Sequence, residues 1–172
     1  PCFRETDAVD SGDIIRQTKY PNLVEHELIY GGPHFFVATP LYKTPRAKCI
    51  LSSDYDNIDL TDINEDYLPR TNYTPEIDVK EFTSKYDLSD ENKWLDLYKV
   101  VNSTMLNITT ERTLQPAIIP PSITHINAVI STTFENESNT IEFAGILSSI
   151  VYDFYVKTIG ASNLTENRIE AF

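Results

Sequence analysis

Three short segments carry the side chains whose types and spacing could do chemistry. In HFFVATPLYKTPRAK, residues 34–48, three cations (Lys43, Arg46 and Lys48) fall within six residues beside Thr44, between prolines. Arginine offers a bidentate fork and lysine a point charge, so this stretch suits a phosphate group. In DYLPRTNYTP, residues 66–75, Arg70, Asn72 and Tyr73 stand between Pro69 and Pro75. These are residue types that read nucleic-acid bases: arginine for guanine, asparagine for adenine, tyrosine for stacking or sugar packing. In ERTLQPAIIPPSITHIN, residues 111–127, Arg112 opens the segment and His125 and Asn127 close it. Their alternate positions put His125 and Asn127 on one face of a strand. Each segment also has a plainer reading. The first is a solvated turn. The second is a loop whose Arg70 pairs with an aspartate. The third holds an arginine paired with an acid and a hydrogen-bonded structural histidine.

Other chemistries find less in the chain. The histidines are His26, His34 and His125 and the cysteines Cys2 and Cys49, with no metal-ligand spacing among them. Two thiols so far apart are expected to be reduced. A Ser-His-Asp arrangement stays open, including a small hydrolase built on His34 or His125, but no Gly-x-Ser-x-Gly elbow is present. With 26 acidic residues, no carboxylate pair stands out as acid and base.

The elements that must position these residues belong to a chain of 172 residues, a one-domain length, with 41% apolar content and 18 Phe and Tyr residues for a core rich in aromatic packing. No apolar run reaches the length of a membrane helix, and no leader opens the chain. The net charge of −12 opposes phosphate contact. It is unevenly spread: residues 51–97 hold 13 acidic and 4 basic residues, or −9, leaving −3 for the rest. A small basic face on an acidic body fits that distribution.

The pattern predicts an α+β fold, with a mixed or mainly antiparallel sheet packed against two main helices. One helix starts at Ser89, a good N-cap ahead of Asp90 and Glu91, and presents Trp94, Leu95, Tyr98 and Val101 at helical spacing. The other runs near residues 140–157 and is apolar on more than one face. Strands are expected at 23–30 and 34–38, paired as a hairpin through Gly31-Gly32-Pro33, and at 49–60, 113–119 and 123–132. Residues 40–45 are too proline-bounded for regular structure, 62–75 is a loop, and 13–17 a short helix. Residues 1–22 are expected to be irregular, 23–160 to form the domain, and 161–172 a loose tail.

Four segments in order, GGPHFFVATPLYKTPR, YDNIDLTDINEDYLPRTNYTP, ERTLQPAIIPPSITHIN and LSSIVYDFYVKTIGASNL, give this chain a resemblance over residues 28–165. It resembles the C-terminal target-recognition region of type IIG-like restriction–modification N6-adenine DNA methyltransferases, bacterial enzymes of phage defence. The resemblance implies a fragment of a larger cytoplasmic protein that binds double-stranded DNA and sets sequence specificity. It implies no cofactor here: S-adenosylmethionine and methyl transfer would belong to the upstream methyltransferase domain of the same parent chain. Thr39-Pro40-Leu41-Tyr42 departs from the family's catalytic signature, with Leu41 for its second proline, and no Gly-rich loop precedes it. The motif match selects Lys43, Arg46, Arg70, Asn72, Tyr73, Arg112, His125 and Asn127 as DNA-binding residues. Side-chain chemistry makes Lys43 and Arg46 the phosphate candidates and Arg70 and Asn72 the base readers. A different class of function, a protein-interaction module docking on another subunit or domain, also fits the acidic, aromatic composition.

Overall fold

A computed structural model of the chain describes residues 3–18, 28–36, 39–40, 43–46, 53–59, 61–65, 67–78, 81 and 94–171. The architecture is α+β: short strands in small, mostly antiparallel pairings lie with two successive helices of the C-terminal third. Cys2, Cys49, Lys48 and the Ser89 helix start lie outside the described residues.

The opening segment is more ordered in secondary structure than its polar composition suggests. Helix α1, Glu5–Asp10, buries Ala8, and strand β1, Ile14–Arg16, follows it. The β-branched Ile14-Ile15 pair favours an extended chain. It replaces the short helix expected at 13–17. Its partner is β7, Tyr73–Pro75, antiparallel with Ile14 opposite Pro75 and Arg16 opposite Tyr73. Residues 62–75 therefore end in a strand, with Pro75 at its last position, where proline is tolerated.

Strand β2, Ile29–Tyr30, does not form the expected hairpin. It runs parallel to β10, Thr124–His125, some 95 positions away in sequence. Gly32–His34 is a single 3-10 turn, and β3, Phe35–Phe36, pairs instead with β4, Thr39–Pro40. Strand β5, Lys43–Pro45, pairs antiparallel with β6, Tyr55–Asn57. The prolines of residues 40–45 thus sit at the ends of two-stranded ribbons, where a missing N–H leaves few ladder bonds unmade.

The largest sheet among the described residues has the order β11-β8-β9, all antiparallel. Its centre is β8, Lys99–Ser103, flanked by β9, Ala117–Ile119, and β11, Val129–Thr133. A helix through Val101 is therefore excluded. Trp94–Asp96 forms one 3-10 turn, and Val100-Val101 then enter the sheet as buried β-branched residues. The second expected helix is two helices. α2, Glu137–Ser148, begins under the Asn136 cap, whose side chain accepts from Ser138 N–H. α3, Ile150–Thr158, restarts after Ser149, which is extended (ψ 145°) and accepts from Tyr152 N–H. A serine that caps a new helix interrupts the old one, because its oxygen takes a donor that continuing helix would use.

The core lies where these pieces meet. Phe3, Ile14, Ile29, Tyr73 and Ile126 join the N-terminal segment to β2, β7 and the residue after β10. Leu28, Tyr30, Phe35, Val101, Ile119 and Val129 fill the centre. Val100, Leu114, Leu147 and Val156 hold α2 and α3 to the sheet, with Ala161 and Leu164 from the segment expected to be a loose tail. That segment also carries a short helix, α4, Glu166–Ile169.

Candidate nucleic-acid interface

Two of the three chemistry-bearing segments converge. Arg70 donates both its backbone N–H and its Nε–H to Thr44 Oγ1, each at 3.2 Å. Arg70 is half-buried and stands against β5, the strand that carries Lys43 and leads into Arg46. Below it, His34 Nε2 donates to the Arg70 carbonyl at 2.9 Å, while His34 Nδ1 accepts from Gly31 N–H at 3.1 Å. These partners assign the Nε2–H tautomer. Burial pushes the His34 imidazole well below its ordinary pKa, so it stays neutral and acts as a fixed strut. Its ring lies edge-on between Tyr30 and Tyr55, with centroids 5.1 and 5.6 Å away.

The residues nearest to Arg70 in sequence turn inward. Asn72 is buried, donating from Nδ2 to the Tyr55 hydroxyl at 2.8 Å and accepting from Thr18 at 3.5 Å. Tyr73 is buried in the core, and its hydroxyl donates to the Glu5 carboxylate. In this arrangement neither presents an edge to a base. They fix the strand that aims Arg70.

Arg46 is exposed and its Nε bonds Asp56 Oδ1 at 2.8 Å across the β5–β6 ribbon, with its own N–H donated to Asp54 O. The hydrogen bond and charge of Asp56 push its pKa up further, so it is a permanent cation beside an acid. Between such exposed groups the pairing is weak, and Arg46 can exchange its partner at little cost.

The third segment is placed elsewhere. Arg112 donates to the Ser148 carbonyl at 2.7 Å and lies 3.6 Å from Asp153 on α3. Asp153 is a buried hub: its Oδ1 accepts from Thr113 N–H and Leu114 N–H, both at 2.7 Å, and Lys157 stands 3.6 Å from Oδ2. His125 is buried against Trp94. Its Nδ1 donates to the Ile126 carbonyl at 2.9 Å and its Nε2 accepts from the Ser131 hydroxyl at 2.8 Å. Burial first, and the nearby Lys99 charge with it, push the imidazole down to about 4. Such an imidazole is a weak base at neutral pH, and it is oriented by a backbone carbonyl, with no carboxylate among its hydrogen-bond partners. Asn127 is exposed, but its side chain is used to accept from Glu5 N–H at 3.0 Å, at the start of α1.

Of the eight sequence-selected residues, then, Lys43, Arg46, Arg70 and Asn72 share one neighbourhood, with Tyr73 beneath it. Arg112, His125 and Asn127 serve other parts of the fold. The residues that organise the neighbourhood, His34, Thr44 and Tyr55, were not singled out for that role, because a threonine and a tyrosine give no sequence signal until a strand pairing sets them opposite a polar loop.

A second surface has a different character. On α3, Ile150, Val151, Phe154 and Tyr155 are exposed and uncharged. No helix among the described residues is long and apolar enough to cross a membrane. No group of three or more His, Cys, Asp or Glu residues among them is placed to hold a metal ion. Compared with family models, curated proteins and solved structures, the chain matches none.

Proposed function

We propose that this chain is the DNA target-recognition domain of a bacterial N6-adenine methyltransferase of the restriction–modification type, acting in phage defence in the cytoplasm. It grips duplex DNA and sets sequence specificity, while S-adenosylmethionine and methyl transfer belong to an upstream domain of the same parent chain. The observation that carries this reading is the meeting of Arg70 with the Lys43–Pro45 strand through Thr44. It sets Arg70 of one segment beside the strand that carries Lys43 and leads into Arg46 of another, on an acidic body. In this reading Lys43 and Arg46 contact phosphates, which fixes register, and Arg70 reaches a base edge, which gives specificity. Asn72 and Tyr73 support Arg70 from within, and Arg112, His125 and Asn127 hold the scaffold. The test is selection from a random duplex library at low salt, by the wild-type chain and by Arg70→Ala. One enriched site that vanishes in the variant supports the reading. A folded wild-type chain that enriches no site at any salt overturns it for this chain.

A second reading, a module that docks on another protein, is favoured by the uncharged exposed face of α3. Arg70→Ala leaves that activity intact, and substitutions on α3 abolish it.

A further inference from the structure

Thr44 is the middle residue of β5, buried to 6% exposure, and stands opposite Asp56 in the register with β6. Side chains alternate along a strand, so Arg46, two positions on, projects on the side of Thr44, in keeping with its bond to Asp56. Arg70 reaches the same threonine from a different segment. Its backbone N–H and its Nε–H both donate to Thr44 Oγ1 at 3.2 Å. The Arg70 carbonyl in turn accepts from His34 Nε2 at 2.9 Å. Thr44 thus ties the Arg70 loop to the strand that leads into Arg46.

A hydroxyl oxygen has two lone pairs, and here one residue uses both. Two donors of Arg70 on one oxygen close a ring through its backbone and side chain, and that ring fixes the torsions between them. With the carbonyl held as well, Arg70 is oriented at its N–H, its C=O and its Nε before any ligand arrives. An arginine without such a tie samples many rotamers and bonds a phosphate as readily as a base. One that is held in place is pre-organised for a single base edge, and a wrong base cannot be met by a change of rotamer. Phosphate contacts carry no sequence information, so they are insensitive to this tie.

We infer that Thr44 is a positioning residue for sequence discrimination: its hydroxyl oxygen holds Arg70 in the orientation in which Arg70 meets a base edge. The inference rests on the DNA reading of this site and deepens it. Thr44 is buried and acts through Arg70. Valine matches threonine in shape and β-branching but has no oxygen, so Thr44→Val removes the tie and keeps a strand former. Serine keeps the oxygen. A good arginine–guanine pair discriminates against a wrong base by roughly 5- to 150-fold, and that is the quantity Thr44→Val erodes.

The test takes the duplex enriched by the wild-type chain, each of its single base-pair variants and an unrelated duplex, and measures affinity by fluorescence anisotropy at fixed salt. At the base pair where Arg70→Ala abolishes discrimination, Thr44→Val should lose about fivefold or more. Its affinity for the unrelated duplex should stay within about twofold of wild type, with the same salt dependence. Thr44→Ser should restore discrimination, and in the Arg70→Ala background Thr44→Val should have no further effect at that base pair. Undiminished discrimination in Thr44→Val, an equal loss at every base pair, or a Thr44→Ser as impaired as Thr44→Val overturns the inference and leaves the DNA reading standing. A folded wild-type chain that enriches no site removes the DNA reading, and the inference with it. NMR of the free wild-type chain decides the matter if Thr44→Val does not fold. The Arg70 Nε–H signal, identified by its loss in Arg70→Ala, should exchange with water several-fold more slowly than that of the exposed Arg4. Equal exchange overturns the inference.

Discussion

Acid should unfold this protein partly through His125. The buried imidazole is held in its neutral form, donating to the Ile126 carbonyl and accepting from Ser131, with its pKa pushed down from 6.5 to about 4. In the unfolded chain the same group titrates near 6.5. Between those values the unfolded state binds a proton that the folded state refuses, so stability is fully present above pH 6.5 and falls as pH drops toward 4. At 1.36 kcal/mol per pKa unit the loss reaches about 3 kcal/mol, with a slope near 1.4 kcal/mol per pH unit in the middle of the window. The buried His34 acts in the same direction. His125→Gln has no titrating group at that position and keeps His34, so the difference between the two proteins isolates the one imidazole. Urea denaturation at half-unit steps from pH 4.5 to 7 measures it. The wild-type slope should exceed that of His125→Gln by about one proton, and the His125 ring signals in NMR should show no titration above pH 5. Equal slopes, or a ring titrating near 6.5, would refute the reasoning.

Asp153→Ala strands the Thr113 and Leu114 N–H groups and leaves Arg112 and Lys157 facing each other. It should cost about 3–5 kcal/mol in chemical denaturation, and Asp153→Asn, which keeps an acceptor, clearly less. Asp56→Asn removes a weak, exposed partner of Arg46, so DNA affinity at low salt should rise modestly, about twofold, in a fluorescence titration. A decrease would remove Arg46 from the DNA face. Ser122, after the Pro120-Pro121 pair, has φ 68°, a left-handed conformation that glycine adopts freely. Ser122→Gly should stabilise by about 0.5–1 kcal/mol, read as a higher melting temperature.

What was legible in the sequence followed local rules. The α+β class, the turn at Gly31-Gly32-Pro33, the stiff corner at Pro120-Pro121 and helical structure across residues 140–157 all come from spacing and breaker residues acting within a few positions. The helix at 13–17 and the Val101 helix end failed because Ile14-Ile15 and Val100-Val101 obey their strand partners, β7 and β9 with β11, which no local window contains. The hairpin at residues 29–36 failed for the same reason, since β2 takes its partner from β10. At the candidate site, residue type identified Lys43, Arg46 and Arg70 as a possible cationic group, and the fold brings Arg70 to that strand. Residue type could not separate Asn72 and Tyr73 from them. An asparagine or tyrosine suited to a base is equally suited to a buried hydroxyl or carboxylate, and only the β1–β7 pairing decides which it meets.

The first strand-like contact of the chain has a consequence for how the protein is made. Phe3 N–H donates to the His125 carbonyl, and Phe3 O accepts from Asn127 N–H, both at 2.9 Å. The first residues are thus closed by a stretch more than 120 positions later. At typical synthesis rates that stretch is translated roughly 6–25 s after Phe3. Closing so long a loop costs about 4 kcal/mol of chain entropy, which a local helix or ribbon never faces. Until residues 125–127 appear, Phe3 has neither of these backbone partners, whereas Ile14 can already pair and pack through Tyr73–Pro75. Order at Phe3 therefore arrives late in folding, and a chain stalled or truncated before residue 125 would leave Phe3 without them.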